Sequence, residues 1–339
     1  MEIYVKALPV EEILIDLSEK LDLPIERDAG ELCLNLPREI GYGFIRGSSF
    51  PSGLGIIEYY CTFFKDLRIH FSANKIHPLK FIFCSKGKIN HAFENEENPH
   101  TIDTYQNAIV SSAGHNGHVM YFNANETVHV CSLEIIRDKF SLRNNYNFEG
   151  LDSNLKNLFE ENVAKDVFFY QGNYSIELAD IVEEINKKSQ TGFLRSIFLE
   201  AKVYEMLTKQ IIQYQTDQNS ESLPFLTRQS DVEKVKQAVK IIKKEMNRNF
   251  SVNYLAKEVG TNVNKLQEAF KHMFGLTVNK YMQQVKLEAA KELLMTTDHN
   301  ISQIVSMIGL SNRSYFSKVF KEKYGVSPKY FLRNHNDGE

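Results

Sequence analysis

Residues Ala269–Tyr281 read AFKHMFGLTVNKY and residues Val319–Phe331 read VFKEKYGVSPKYF, one phrase written twice 50 positions apart. Each copy carries apolar residues at helical spacing: Ala269, Phe270 and Phe274 in one, Val319, Phe320 and Tyr324 in the other. Each then stops at Gly275 or Gly325, the residue type that ends a helix in the left-handed conformation without a side-chain clash. Extended upstream, the copies become SVNYLAKEVGTNVNKLQEAFKHMFG from Ser251 and NISQIVSMIGLSNRSYFSKVFKEKYG from Asn300. In the first, Ser251 predicts an N-cap, Leu255, Ala256 and Val259 an inward face, and Gly260 a reversal of the chain. Asn300 or Ser302, Ile304, Val305, Ile308 and Gly309 repeat that plan, and Leu266 and Phe316 begin the matching second helices. Short helix, glycine turn, second helix is the helix-turn-helix pattern, expected here twice.

The faces opposite these apolar sets are polar in a useful way. Copy one offers Asn264, Lys265, Gln267, Glu268 and Lys271, and copy two Arg313, Ser314, Tyr315, Ser317, Lys318 and Lys321. Asn and Gln pair with adenine, Arg and Lys with guanine, and a carboxylate accepts from cytosine, each contact giving about 1–3 kcal/mol of discrimination. Any solvated helix face can look like this, but two copies with matching turns and matching Lys271 and Lys321 favour base reading. Between the copies, TVNKYMQQVKLEAAKELLM predicts a helix capped by Thr277, with Tyr281, Met282, Val285, Ala289, Leu293 and Leu294 on its apolar stripe. About 18 helical residues span roughly 27 Å, of the order of the roughly 34 Å between successive major-groove segments on one flank of DNA.

Charge is divided in the same sense. From Arg228 onward there are 19 Lys and Arg against 11 Asp and Glu, a balance of +8, while the preceding residues carry −11. A basic C-terminal unit on an acidic body is the electrostatic pattern of a nucleic-acid binder, though solubility alone could produce it. A chain of 339 residues with 42% hydrophobic residues can bury two or three cores. Glu11, Glu12 and Asp16 interrupt the apolar stretch a signal peptide needs, and nowhere do about 20 apolar residues run together, which predicts a cytoplasmic chain with no membrane partner. Cys33, Cys61, Cys84 and Cys131 form no CxxC pair, so buried free thiols are expected rather than a disulfide or zinc scaffold.

From Gly41 to Arg137 the sequence reads as short strands, among them YGFIRG, LGIIEYYCTFF, LRIHFSA, LKFIFCSKGKI, HVMYFNA and TVHVCSLEII, rich in β-branched and aromatic residues between turn formers. Their spacing predicts an antiparallel sandwich or barrel. After Asp138 the period changes to helical: Ile176, Ala179, Ile181, Val182 and Ile185 in one segment, then Leu194, Ile197, Phe198, Ala201, Tyr204, Leu207 and Ile211 in the next. Gln213–Phe225 is polar, holds Pro224 and reads as a linker. The expected fold class is α+β: a β-rich domain over 1–140, a helical dimerisation region over 141–216, a linker over 217–229, and an all-α domain with two helix-turn-helix motifs over 230–334.

Residues 230–334, and GLSNRSYFSKVFKEKYGVSPKYF above all, resemble the DNA-binding domain of the AraC/XylS family of bacterial transcription regulators. By position the resemblance implies base reading by Asn264, Gln267, Glu268, Arg313, Ser314, Tyr315 and Lys318, and phosphate contacts from Lys257, Lys271, Lys286 and Lys321. It also implies double-stranded promoter DNA and RNA polymerase as partners, a small-molecule effector, a homodimer and an activator's role, with no cofactor and no catalysis. Three positions depart from the family pattern: Glu268 where a basic residue is common, Val278 where Pro is, and Lys286 where Arg is. A carboxylate near phosphates is repelled unless it meets a cytosine amine, so the first copy is expected to contribute less affinity. The β-rich front half is similar to the cupin-type barrel that often precedes this domain, and LPREIGYGFIRGSSFPSGLGI with FLEAKVYEMLTKQI resembles the branch responding to iron-siderophore complexes.

Seven of the ten His lie between His70 and His129, and His115, His118 and His129 could ligate a metal, as in a cupin enzyme fused to a DNA-binding tail. No companion carboxylate is clearly placed, since Glu126 falls in an expected turn, so surface or core histidines are the favoured reading and no metal set is assigned. Gly41, Gly43 and Gly47 do not form a nucleotide-binding fingerprint. The sequence has no Gly-x-Ser-x-Gly elbow, no Walker loop and no HExxH.

Overall fold

A computed structural model describes residues 1–6, 9–28, 30–72, 79–94, 96–112, 116–144, 146–160, 167–187, 190–219, 229–248 and 250–336. The chain divides into two compact units, Met1–Leu223 and Pro224–Glu339. Mixed strands and helices in the first and helices alone in the second make the class α+β, as expected.

In the first unit two sheets enclose one core. The smaller has the order β1 (Glu2–Lys6), β6 (Leu67–Ser72), β11 (His118–Phe122), β8 (Ile89–Phe93), β9 (His100–Ile102). The larger runs β13 (Phe168–Gln171), β10 (Asn107–Ser111), β7 (Leu79–Lys86), β12 (Thr127–Ile135), β5 (Leu54–Phe63), β4 (Gly41–Ser49), β3 (Glu31–Asn35), β2 (Ile25–Asp28). All pairings are antiparallel except β1 with β6. Alternate residues of facing strands, such as Ile57, Tyr59, Cys61 and Phe63 of β5 with Ile69, Phe71, Met120 and Phe122 of the smaller sheet, form the shared core. Tyr59 and Phe63 both pack their rings on Phe122. Of the sandwich or barrel expected, the described residues form a two-sheet sandwich, and among them no closed barrel is seen: β2 and β13 end the larger sheet at opposite edges instead of pairing.

Helix α1 (Val10–Leu21) buries Val10, Ile13, Leu14, Leu17 and Leu21 in the same core. It approaches β4 and β5 so closely that a Cβ on Gly47 or Gly55 would lie 2.8 or 2.7 Å from Val10. Beyond the sandwich come α2 (Arg137–Asn144), α3 (Ser153–Glu160), α4 (Ile176–Asn186) and α5 (Gly192–Asn219). The two helices expected over 175–214 are α4 and α5, but β13 precedes them and joins the larger sheet beside β10. Residues 141–216 thus share one compact unit with the strands. Of the expected linker 217–229, residues 220–228 lie outside the described residues, and α5 runs to Asn219.

The second unit holds α6 (Gln229–Lys244), α7 (Val252–Glu258), α8 (Val263–Phe274), α9 (Val278–Thr296), α10 (Ile301–Met307), α11 (Arg313–Tyr324) and α12 (Pro328–Asn336). Ser251 caps α7 and Thr277 caps α9 through their side chains, Asn300 forms a capping box with Gln303 on α10, and Gly275 and Gly325 close α8 and α11 in the left-handed conformation. Among the described residues no helix is long and apolar enough to cross a membrane.

Candidate nucleic-acid interface

The two motifs are α7 with α8 and α10 with α11. Their turn glycines, Gly260 and Gly309, share a φ of +66°, a value that disfavours any residue with a Cβ. In the first copy Leu255, Ala256, Val259, Leu266, Ala269 and Phe270 are buried. In the second, Ile304, Val305, Ile308, Phe316, Val319 and Phe320 form a cluster with Leu287, Ala290 and Leu294 of α9. Helix α9 serves both cores: Tyr281 packs on Phe270 and Phe274 of the first copy, and its C-terminal half packs on the second. That double duty explains why the expected stripe is only partly right. Val285 and Leu294 are buried, whereas Tyr281, Met282, Ala289 and Leu293 are half-buried and Leu287 and Ala290 take their place.

Each second helix starts on an asparagine cap. Asn262 accepts from the Lys265 backbone N–H and Asn312 from that of Tyr315, two caps whose positions were readable as Asn just before a helical period. The helices then present Asn264, Glu268 and Lys271 of α8, and Arg313, Ser314, Tyr315, Lys318 and Lys321 of α11, exposed to solvent, with Lys257 exposed on α7. Among the described residues the ion pairs of this unit use Lys234, Arg248 and Lys323, so Lys257, Lys271, Lys318 and Lys321 keep their charge unpaired. Unpaired cations on an exposed helix face are what phosphate contact requires.

Four of the expected residues make hydrogen bonds within the protein. Gln267 is half-buried and its Oε1 accepts from the Val278 backbone N–H at 3.1 Å, helping to satisfy the start of α9. The Lys286 ammonium donates to the Gly309 carbonyl oxygen at 3.1 Å, and burial lowers its pKa. It ties α9 to the second turn, a job its polar sequence context did not reveal. The Tyr315 hydroxyl accepts from Gln283 Nε2 at 2.8 Å, and Arg313 Nη1 lies 3.4 Å from the Ser302 hydroxyl. The second turn has a further neighbour with no equivalent in the first: Gly309 faces the Asn247 backbone, where a Cβ would stand 2.3 Å from the carbonyl oxygen, while Gly260 meets nothing within 4 Å.

The histidines considered as metal ligands separate. His115 lies outside the described residues. His118 is buried on β11, its ring stacked 4.7 Å from Phe71, and His129 is buried on β12 of the other sheet.

Residues 255–334 match the model of the family described as a helix-turn-helix domain, and residues 42–225, more than half of the chain, match that of the regulatory protein PchR N-terminal domain. The chain is 32% identical over 108 residues to histidine kinase P4 of Formosa agariphila, which is 32% of this chain and 8% of that protein. It is 31% identical over 97 residues to the transcriptional activator PerA of Escherichia coli O127:H6, covering 29% of this chain and 35% of that protein. The match thus spans little more than a third of these relatives' length at most. Among solved structures, a ligand-free single-substitution variant of ToxT from Vibrio cholerae aligns over 83% of this chain and 97% of its own, at 20% identity and a TM-score of 0.33. With both of its halves matched by family models, the chain belongs to the AraC/XylS family of transcription regulators, with a regulatory half of the PchR N-terminal type.

Proposed function

We propose that this chain binds promoter DNA through both helix-turn-helix motifs as a homodimeric transcription activator, and that a small-molecule effector bound by the sandwich controls it. One observation carries this reading: a single compact unit contains the same motif twice, each copy leaving its second helix with an exposed face that includes unpaired lysines. In this scheme Asn264, Glu268, Arg313, Ser314, Tyr315 and Lys318 read bases. Lys257, Lys271 and Lys321 hold phosphates. Gln267 and Lys286, also expected to meet DNA, would have to exchange their internal hydrogen bonds for it, so their role in binding is secondary. Homodimerisation is supported by α5, which leaves Phe193, Leu194, Ile197 and Ile212 exposed along a long helix. An iron-siderophore complex as effector and RNA polymerase as partner follow from the family resemblance.

The test is DNA selection and footprinting with the full chain and its variants. Lys321→Ala and Lys271→Ala should each weaken binding evenly across sequences and flatten the slope of log affinity against log salt by about 0.9. Arg313→Ala and Lys318→Ala should relax choice at particular bases, at about 1–3 kcal/mol each. A footprint confined to one groove segment per protomer, or base preferences unchanged in both of the latter variants, overturns the reading.

A further inference from the structure

The face of the larger sheet turned away from the sandwich core brings together three metal-ligating side chains of different chemistry. Glu58 on β5 and Cys131 on β12 stand directly opposite one another in the ladder, and His129 lies two residues along β12 on the same face. The register of β12 against β7 slips between His129 and Val130. Such irregularities re-aim a side chain and concentrate beside functional sites. One ligand atom from each of Glu58, His129 and Cys131 lies within 4.8 Å of the other two, and all three residues are buried.

We propose that Glu58, His129 and Cys131 form a binding site for a borderline-soft divalent transition-metal ion of the Zn2+ class. Imidazole, thiolate and carboxylate are the donors that such ions accept. Bonds of about 2.0–2.3 Å in a tetrahedral arrangement set the donors roughly 3.3–3.7 Å apart. The His129 Nε2 to Glu58 Oε1 contact is 2.7 Å and would open by less than about 1 Å to admit the ion. The other carboxylate oxygen, Oε2, accepts from Arg46 Nε at 2.6 Å, which fixes the carboxylate while leaving Oε1 to ligate. The neighbouring charges balance: Glu31 and Glu58 face Arg46 and Arg195. On binding, Cys131 releases its thiol proton to solvent and donates as thiolate, and the neutral His129 imidazole shifts its proton from Nε2, where it bonds Glu58, to Nδ1 so that Nε2 can ligate. The net change is one added positive charge. The ion must displace the thiol proton, so affinity rises with pH.

The site is wired to the helices. Arg46 Nη2 and Arg195 Nη1 both donate to the Ile185 carbonyl oxygen in the last turn of α4, at 3.3 and 2.9 Å, so a shift of Glu58 is felt at α4 and, through Arg195, at α5.

The probe is Co2+ titrated into the metal-free full chain. The expected result is one equivalent bound per chain, with a thiolate-to-cobalt charge-transfer band in the near ultraviolet that Zn2+ abolishes by competition. Cys131→Ser should remove the band and weaken binding at least about tenfold, whereas Cys33→Ser should leave both unchanged. No band in the natural sequence, or one surviving Cys131→Ser, overturns the proposal. Should Cys131→Ser fail to fold, zinc-edge X-ray absorption of the unaltered zinc-loaded chain decides: one sulfur at about 2.3 Å supports the site, and a shell of nitrogen and oxygen alone refutes it. None of these readouts involves DNA, so the regulator reading stands or falls separately.

Discussion

Gly260 and Gly309 hold equivalent turns at the same φ of +66°, yet a methyl group added to them meets different surroundings, and this makes them a matched pair. Alanine in the left-handed region costs roughly 1–2 kcal/mol, a penalty both variants share. At Gly309 the new Cβ would also sit 2.3 Å from the Asn247 carbonyl oxygen and 2.6 Å from its carbon. The Asn247 backbone, which follows α6, must retreat by about 1 Å, and overpacking of this kind costs typically about 1–3 kcal/mol more. Gly309→Ala should therefore destabilise its motif by roughly 2–5 kcal/mol, and Gly260→Ala by roughly 1–2. Hydrogen exchange with mass spectrometry on the full chain separates the two motifs, because peptides over 252–274 and 301–324 report them independently. At about 1.4 kcal/mol per factor of ten, protection in 301–324 should fall at least about 30-fold in Gly309→Ala, against a fall of about 5- to 30-fold in 252–274 for Gly260→Ala. Equal losses would show that the Asn247 contact contributes nothing, and a larger loss at Gly260 would reverse the argument.

Burial lowers the pKa of His91 to about 3, with Lys80 and then His100 adding to the effect. The folded state therefore refuses a proton that the unfolded chain accepts near pH 6.5, and stability should fall as pH drops from 6.5 towards 3, by about 1.4 kcal/mol per pH unit at most. His91→Phe should flatten that part of the urea-midpoint profile, and an unchanged profile would exclude His91 as its source. Arg195 is buried against Glu31 at 3.1 Å. Arg195→Met should destabilise the first unit by about 3–5 kcal/mol, and adding Glu31→Leu should recover part of that loss, as denaturant unfolding of single and double variants would show. Burial raises the Cys61, Cys84 and Cys131 thiols, Cys84 to about 12, whereas Cys33 is only half-buried. A thiol reagent should thus modify one cysteine per native chain quickly, and Cys33→Ser should abolish the fast phase.

What could be read from the sequence was local. Ser251, Thr277, Asn300, Gly275 and Gly325 specify helix ends through neighbours a few residues away, and each acts where its type and spacing put it. The strands from β4 to β12 were legible from their β-branched and aromatic content, apart from β8, of which only Ile89 fell in a strand-like stretch, and the three-residue β9. Helix α1 also has a plain helical period, Val10, Ile13, Leu14, Leu17 and Leu21, and was within reach of the same reasoning. The hairpin β2–β3 was not, because IERD and ELCLN carry charges where a strand pattern wants apolar residues. Nor was the buried network, whose partners are far apart in sequence: 71 residues from Glu58 to His129 and 164 from Glu31 to Arg195. Gln267 and Lys286 illustrate the same limit at the interface. Polarity marks both as surface residues, and only the fold turns their hydrogen-bonding atoms onto Val278 and Gly309, 11 and 23 positions away.

Strand β13 has a bearing on how such a protein can be cut and rejoined. Four residues that come after α2 and α3 supply the last strand of the larger sheet, hydrogen-bonded along β10. A chain severed near residue 140 would leave the whole of β10 as a bare edge, an invitation to stick to other molecules. A gene fusion that grafts the Met1–Leu223 unit onto a different partner therefore has its natural junction downstream of α5, near Leu223, and junctions placed where the strand-rich text stops should give insoluble hybrids.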